Sequence, residues 1–283
     1  MEPLPLRDVP DAADPLDGGG AARPTARSLE PLGRALLASL TALVLLGLAA
    51  LLGALLLAGA LGLRAHPEAL RPALLALGRS TRLALLSTAL ALGPALALGL
   101  WLARVADTSR LARAVRGALD AASALPAVVF GLAGWTLFSA ASGLHGTALS
   151  MALVLAMLNL PWLASLTERA LQAVPHELEE ASLALGASQS ETILRVSLPL
   201  ASRGVLAAVT LCLGRAFAEC APLLCVAPDT PEAPLSVMLW RAPTDSAEAA
   251  VSASLLAALA LATTAAGHRL RRGGDIRAPG VLR

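Results

Sequence analysis

The sequence predicts an all-α, polytopic membrane protein. Of its 283 residues, 56% are hydrophobic and only 15% are charged, whereas soluble domains are usually about a quarter charged. The apolar residues are gathered into long uncharged runs, which a water-soluble fold could not bury completely. The net charge of +2 provides no broad basic surface, so nucleic acid is excluded as a partner.

Residues 1–34 are expected to form a disordered cytoplasmic tail. They are rich in Pro, Asp, Gly and Ala, and such a composition cannot bury enough apolar surface to offset chain entropy. The uncharged stretch from Ala35 to Leu63 that follows is long enough to cross a hydrocarbon core of about 30 Å. Because an acidic tail precedes it, this stretch is predicted to be a membrane helix and not a cleaved signal peptide.

Windows of about 20 apolar residues place further membrane helices along the chain. They cover about 83–103, 122–141, 147–166, 200–226 and 249–267, which gives six spans within a transmembrane domain of residues 35–268. Residues 269–283 are expected to form a basic cytoplasmic tail. Prolines inside these spans or at their ends are expected to kink them: Pro94, Pro126, Pro161 and Pro222.

The distribution of Arg predicts that both termini are cytoplasmic. With the N-terminus inside, most Arg residues fall in cytoplasmic segments, as the positive-inside rule requires. Four Arg between the first two spans oppose the rule: Arg64, Arg71, Arg79 and Arg82. Their segment is expected either to begin the second helix early or to lie along the interface.

The cytoplasmic segment before the fifth span begins with the signals of a short helix. Pro175 suits a first helical position, and the acidic residues after it suit the positive end of the helix dipole. Gly186 suits the stop at its end. Leu178, Ala181 and Leu185 fall on one apolar face.

A second short helix is predicted after this glycine elbow. Ser188 and Glu191 have the spacing of a capping box. The helix is expected to stop near Leu198 and Pro199, because proline lacks the amide hydrogen and restricts the residue before it.

This segment resembles the EAA loop of bacterial ABC-importer permeases, whose pattern is E-A-A, three residues, G, nine residues, I-x-L-P. Ser182 and Val196 take the places of the second Ala and of Ile. Five of the seven defined positions match at the right spacing: Glu180, Ala181, Gly186, Leu198 and Pro199.

Other stretches resemble phosphate permeases. Residues 125–132 are similar to their P-S-I-V-x-G-L stretch, with Ala127 in place of Ser. The pairs Leu160-Pro161 and Val174-Pro175, and the run Glu168-Arg169-Ala170-Leu171, are also typical of that family. Residues 214–224 resemble the R-A-x-G-E-T-A-P-L-L signature of the PstA-type subunit, with Ala218 for Gly and Cys220 for Thr. The resemblance covers about residues 80–268.

The resemblance implies a six-helix, MetI-like ABC-importer permease in the bacterial inner membrane. The chain would form half of the translocation pathway of an ATP-driven phosphate importer. Its implied partners are a separate ATP-binding subunit, a second, PstC-like permease subunit, a periplasmic or extracellular phosphate-binding protein, phosphate and membrane lipid. The coupling loop 175–199 would dock into the ATP-binding subunit through Glu180, Ala181, Gly186, Leu198 and Pro199.

The sequence does not predict an enzyme. It contains no Lys and therefore no Walker A motif, so the ATPase is expected on another subunit. No cofactor is expected, and the dispersed His66, His145, His176 and His268 do not have the spacing of metal ligands. The three Cys lie in one apolar segment and are expected to be small core or lipid-facing residues.

Arg215 and Glu219 are the only charges well inside a predicted span. They are four residues apart and share a helix face. Because desolvating either one alone costs several kcal/mol, they are expected to pair with each other or with a neighbouring helix. A free guanidinium edge would suit a phosphate oxyanion on the translocation pathway. The alternative is a structural ion pair that fixes the helix position.

Three other functions compete with this interpretation. An intramembrane enzyme would need a catalytic pair, but the spans contain no Asp and no G-x-S-x-G elbow. A secondary transporter would use internal repeats and midplane ion sites rather than a docking loop. A PstC-like, phosphonate, sulfate or molybdate permease stays an alternative because these importers share the EAA loop.

Reporter fusions test the six-span topology. The signal is expected to alternate between outside and inside for fusions placed along the chain after Leu70, Arg110, His145, Leu185, Leu235 and Asp275, starting outside. A cytoplasmic signal at His145 or an external signal at Leu185 would contradict the topology.

Overall fold

The computed structural model describes residues 26–105, 109–139, 144, 146–227, 233–243 and 246–273. Within these ranges the chain is helical and has no strand, which confirms the predicted all-α class. Residues 1–25 and 274–283, parts of the two predicted tails, and His145 lie outside the described residues.

The described helices are numbered in chain order: α1 Ala26–Ala65, α2 Leu70–Leu100, α3 Arg110–Ala124, α4 Ala127–Ser139, α5 Ala148–Gln172, α6 His176–Ala184, α7 Gln189–Thr192, α8 Leu198–Ala218, α9 Ala221–Val226, α10 Leu235–Arg241 and α11 Ala247–Gly273. Helix α1 begins inside the predicted tail, because residues 26–34 are helical. The chain divides into two compact units, Met1–Leu51 and Leu52–Arg283. The first unit contributes the beginning of α1, and all packing described below lies within the second.

Among the described residues, five helices are long and apolar enough to cross a membrane, and a bent helix pair makes a sixth span if it counts as one. Helix α2 begins at Leu70, directly after a 3₁₀ turn at Pro67–Ala69. The second helix therefore starts early, which is one of the two alternatives that the four opposing Arg residues indicated. Pro94 and Pro161 lie inside α2 and α5 without interrupting them.

The predicted third span, 122–141, is wrong as a single kinked helix. Helices α3 and α4 meet there at an angle of 96°. Leu125, just before Pro126, has an extended backbone with φ −64° and ψ 139°. Proline disfavours helical geometry in the residue that precedes it, so the chain turns at this point instead of bending gently.

The predicted fifth span, 200–226, is likewise broken. Helix α8 ends at Ala218, and Glu219 is extended, with φ −75° and ψ 124°. Pro222 lies in the first turn of α9, where its missing amide hydrogen costs nothing. The break is tied to the first turn of α10, because Ser236 Oγ donates to the Glu219 carbonyl oxygen at 3.0 Å.

The expected stop near Leu198 and Pro199 is also wrong. The helix runs through this pair by way of a π-helical turn at Ile193–Ser197, in which the Leu198 amide donates to the Ile193 carbonyl oxygen. Pro199 occupies the first turn of α8. A widened turn alters the carbonyl positions that face a proline ring, and it is a recognised way to keep a helix continuous past such a residue.

Helix α5 lies at the centre of the packing and contacts α2, α3, α4, α8 and α9. Its wholly buried side chains include Leu155, Leu163 and Leu171. Small residues let the neighbouring helices approach closely, as is usual in membrane bundles. Among the described glycines, the closest approach to backbone is at Gly131 in α4, where an added Cβ would lie 2.6 Å from the Pro222 carbonyl oxygen.

Gly131→Ala is expected to lower the free energy of unfolding by about 1–3 kcal/mol, because the new methyl group meets the backbone of α9 and not a movable side chain. Gly117→Ala in α3 is the matched control, since an added Cβ there has no heavy atom within 4 Å. The control is expected to gain up to about 1 kcal/mol from the better helix former. Thermal unfolding of the purified chain measures both; equal melting temperatures would contradict the close packing of α4 on α9.

Candidate functional site

The predicted glycine elbow is present and is fixed by backbone hydrogen bonds. Pro175 is the N-cap residue of α6 rather than its first helical residue. At the other end the Gly186 amide donates to the Leu183 carbonyl oxygen at 2.9 Å, and the Ala187 amide donates to that of Ser182 at 3.2 Å. Gly186 has φ +90°, the left-handed region that this termination needs and that glycine adopts without strain.

The capping box after the elbow is also confirmed. Ser188 Oγ accepts from the Glu191 amide at 3.3 Å, and the Glu191 carboxylate accepts from the Ser188 amide at 3.0 Å. The hydroxyls of Ser182 and Thr192 lie 2.9 Å apart and join α6 to α7. Ser182, the departure from the E-A-A pattern, thus closes the elbow with a hydrogen bond that alanine could not make.

Helix α6 faces the rest of the chain with polar side chains. Glu179 and Ser182 are the partly buried residues of α6. The predicted apolar face of Leu178, Ala181 and Leu185 lies on the exposed side, and Leu185 is 90% exposed. An exposed leucine beside a rigid turn is a candidate contact for a partner.

An ion pair of Arg104 and Glu179 joins α6 to the end of the second span. Arg104 Nη2 lies 2.8 Å from Glu179 Oε1, and the two side chains are 4% and 13% exposed. The same arginine donates to the Leu171 carbonyl oxygen, and Ser197 Oγ donates to Glu179. Because Ser197 lies in the π-helical turn before α8, one carboxylate links α6 to two spans.

The residues expected to couple to an ATPase lie mostly on the surface. Glu180, Ala181, Gly186 and Pro199 are exposed, and Leu198 is partly buried. The elbow therefore presents three of these positions to solvent, and the first turn of α8 presents the fourth, Pro199.

Arg215 and Glu219 pair with each other, which is one of the two pairings expected. Arg215 Nε lies 3.3 Å from Glu219 Oε1, and the side chains are 29% and 18% exposed. The Arg215 guanidinium carbon lies 5.6 Å from the ring centroid of Trp162 in α5, within cation–π range. Among the described residues, Glu219 is the hydrogen-bond partner of this guanidinium, and the Nη atoms have none.

A third ion pair, partly buried, was not predicted from the sequence. Arg116 Nε in α3 donates to Glu168 Oε1 in α5 at 2.7 Å, and Gln172 Nε2 donates to the same oxygen at 3.1 Å. Helix α5 extends to Gln172, beyond the predicted end of the fourth span, so Arg215 and Glu219 are not the only charges inside a span. The sequence did contain a signal for this ion pair: Glu168 belongs to the run of residues 168–171, which resembles the family. The resemblance alone did not indicate that Glu168 pairs with an arginine.

The described residues contain no group of three His, Cys, Asp or Glu side chains that could hold a metal ion. Cys212 is buried, while Cys220 and Cys225 are partly buried, and all three are free thiols.

Curated relatives match part of the chain. The probable ABC transporter permease protein YqgI of Bacillus subtilis is 36% identical over 126 residues, 44% of this chain and 43% of the relative. The phosphate transport system permease protein PstA of Xylella fastidiosa is 38% identical over 129 residues, 46% and 45% of the two chains. PstA 1 of Mycobacterium tuberculosis is 35% identical over 117 residues, 41% and 38%. The matched segment thus spans less than half the length of these relatives.

Solved structures share the fold. A chain of the inward-facing MetNI methionine ABC transporter superposes with a TM-score of 0.58 at 20% identity, over 73% of this chain and 95% of that one. A second crystal form of MetNI gives 0.59, also at 20% identity, over 70% and 94%. The predicted MetI-like permease fold is confirmed.

A family model described as the binding-protein-dependent transport system inner membrane component matches residues 95–268. This range contains the elbow, the three ion pairs described above and the broken fifth span. The chain therefore belongs to the family of inner membrane components of binding-protein-dependent transport systems.

Proposed function

We propose that the chain is a permease subunit of an ATP-driven phosphate importer and that its elbow docks on a separate ATP-binding subunit. The observation that carries this proposal is the rigid elbow itself. Its ends are fixed by the Gly186 turn and the Ser188 capping box, and it exposes Leu185 to solvent. A docking element that is held by its own backbone can transmit a rigid-body displacement, which a frayed loop cannot.

Displacement of the docked elbow would reach the membrane spans through Glu179. This carboxylate contacts Arg104 at the end of the second span and Ser197 just before α8. A buried ion pair resists separation, because each charge left alone would cost several kcal/mol. Closure of an ATPase dimer beneath α6 would therefore tilt α8 and the end of the second span together.

Phosphate is the substrate that the intramembrane site and the relatives favour. Arg215 has Nη atoms without a protein hydrogen bond among the described residues, and its planar fork suits two oxygens of one oxyanion. Glu219 holds the other edge of the guanidinium at 3.3 Å. Two of the relatives described above carry phosphate transport in their names.

The partners of the proposed importer are a second, PstC-like permease subunit, an ATP-binding subunit and a phosphate-binding protein outside the membrane. The elbow and both termini would lie in the cytoplasm. The structure supports this orientation by bringing Arg169, Arg203 and Arg271 to the end of the helices where Pro175 lies. Clustered Arg at one end is what the positive-inside rule requires of a cytoplasmic face.

Gly186→Val is expected to abolish coupling while the chain remains in the membrane. No heavy atom lies within 4 Å of an added Cβ, so the substitution acts on the backbone, where a positive φ costs a branched residue about 1–3 kcal/mol. Gly186→Asn is the matched control, because Asn tolerates the left-handed region. ATPase stimulation and phosphate uptake by the reconstituted importer are the measurements. Normal ATP-driven uptake by the Val variant would refute the role of the elbow.

Variants of Arg215 and Glu219 separate a transport role from a structural one. If Arg215 meets the anion, phosphate uptake should fall in Arg215→Lys, which loses the fork, and fall further in Arg215→Ala, while the complex stays folded. If the pair is only structural, each single variant should lose several kcal/mol of stability.

The double variant Arg215→Met with Glu219→Gln decides between the two roles. It removes both charges and strands neither, so the complex should be stable in either case. A stable but inactive complex is the expected result. Full recovery of phosphate uptake would show that neither charge is needed for transport.

A further inference from the structure

A basic cleft opens at the elbow end of the helices. Its volume is about 580 Å³, and it lies between α5, α8 and α11. Four basic side chains line it: Arg169, Arg203, His268 and Arg271. The described residues that line it include no Asp or Glu, and the remaining lining is apolar or small. The cleft therefore presents positive charge against walls of low dielectric, an arrangement that concentrates anions.

One face of α8 runs from the cleft to Arg215, which lies beyond the residues that line the cleft. Gly204, Ala208 and Leu211 line it, and their spacing of four and three residues keeps them on one helix face. The next position on this face is Arg215, one turn and about 6 Å further along the axis. The face of α8 that lines the cleft is thus the same face that carries Arg215.

Helix α5 repeats this geometry from the other side. Ala170 and Leu166 of α5 line the cleft together with Ala173, the residue just after the helix, and the next residue on the same face is Trp162. The Trp162 ring is the one that Arg215 covers at 5.6 Å. Both walls therefore converge on a single point, the contact between the Arg215 guanidinium and the Trp162 ring.

We propose that this cleft is the release vestibule for the transported anion, in which Arg169, Arg203 and Arg271 receive a phosphate-sized anion from Arg215. The inference rests on the proposed transport function and adds the path by which the anion leaves the membrane. The occupant is a free oxyanion rather than a lipid headgroup, because the helix faces that line the cleft continue to the Arg215 guanidinium between α8 and α5. When several exposed guanidinium groups follow one another along a path, each of them binds an anion weakly enough to release it to the next.

Charge-selective labelling tests the vestibule without relying on transport. In a background with Cys212, Cys220 and Cys225 replaced by Ala, Leu211→Cys places a thiol inside the cleft. An anionic methanethiosulfonate reagent should modify it about tenfold faster than a cationic one, since a focused field changes encounter rates by at least that factor. Replacing Arg169, Arg203 and Arg271 together by Gln should abolish this preference.

The matched control is Leu206→Cys, on the opposite face of α8 and 52% exposed. It should show no preference for the anionic reagent. An unreactive Leu211→Cys, or one with no preference for the anionic reagent, would overturn the vestibule. So would protection of Leu211→Cys in phosphatidylglycerol vesicles but not in phosphatidylcholine vesicles, because an anionic lipid would then fill the cleft.

Phosphate uptake by the reconstituted importer provides the second test. The triple Gln variant should lose about tenfold in the maximal uptake rate while the complex assembles and hydrolyses ATP. Arg110→Gln with Arg113→Gln is the control, because both residues are exposed on α3 and neither lines the cleft. Normal uptake by the triple variant would overturn the vestibule and leave the proposed function intact. If the wild-type importer moves another anion instead of phosphate, the substrate assignment fails, while anion-selective labelling of Leu211→Cys would still support the vestibule.

Discussion

The buried contact of Arg104 with Glu179 is the interaction on which the elbow depends. Helix α6 has no buried apolar side chain, so hydrophobic burial does not hold it against the spans. A carboxylate that is 13% exposed and a guanidinium that is 4% exposed hold it instead, with Ser197 as a second donor. This leaves the apolar side chains of α6 exposed for a partner. An elbow anchored through an apolar face would have had to bury the same leucines that docking requires.

The two helix breaks lie in spans that are surrounded by a medium of low dielectric. Backbone groups freed by a break inside a membrane must find partners within the protein. At Glu219 the carbonyl oxygen accepts from Ser236 Oγ, and the Cys220 thiol donates to the Ser236 carbonyl oxygen at 3.3 Å. Helix α10 is held in turn by α2, because the Leu235 amide donates to Ser80 Oγ at 2.7 Å. A short helix that hydropathy does not reveal therefore makes the broken fifth span possible.

The sequence predicted what is local and missed what is distant. The elbow, its left-handed Gly186 and the Ser188 capping box depend on residues a few positions apart, and all three are confirmed. The contacts of Arg104 with Glu179 and of Arg116 with Glu168 join residues far apart in sequence, and no periodicity encodes them. The proline breaks lie between these cases. Pro126 and Pro222 correctly marked where the helices are interrupted. The sequence predicted kinks there and not full breaks, because the breaks are stabilised by packing against α9 and α10, which the sequence did not reveal.

Helix α8 brings the proposed coupling and the proposed pathway onto one rigid element. It begins at Leu198, directly after the π-helical turn that holds Ser197, and it ends at Ala218, directly before Glu219. Between these ends lie the residues that line the cleft, Gly204, Ala208 and Leu211, and then Arg215. The helix is continuous over this length, so a tilt imposed near Ser197 would displace the guanidinium as well as the cleft. A tilt of α8 against α5 would also change the contact of Arg215 with Trp162, which is where the two walls of the cleft converge. Access to the anion site would then vary with the position of the elbow, with no signal needed beyond the movement of one helix.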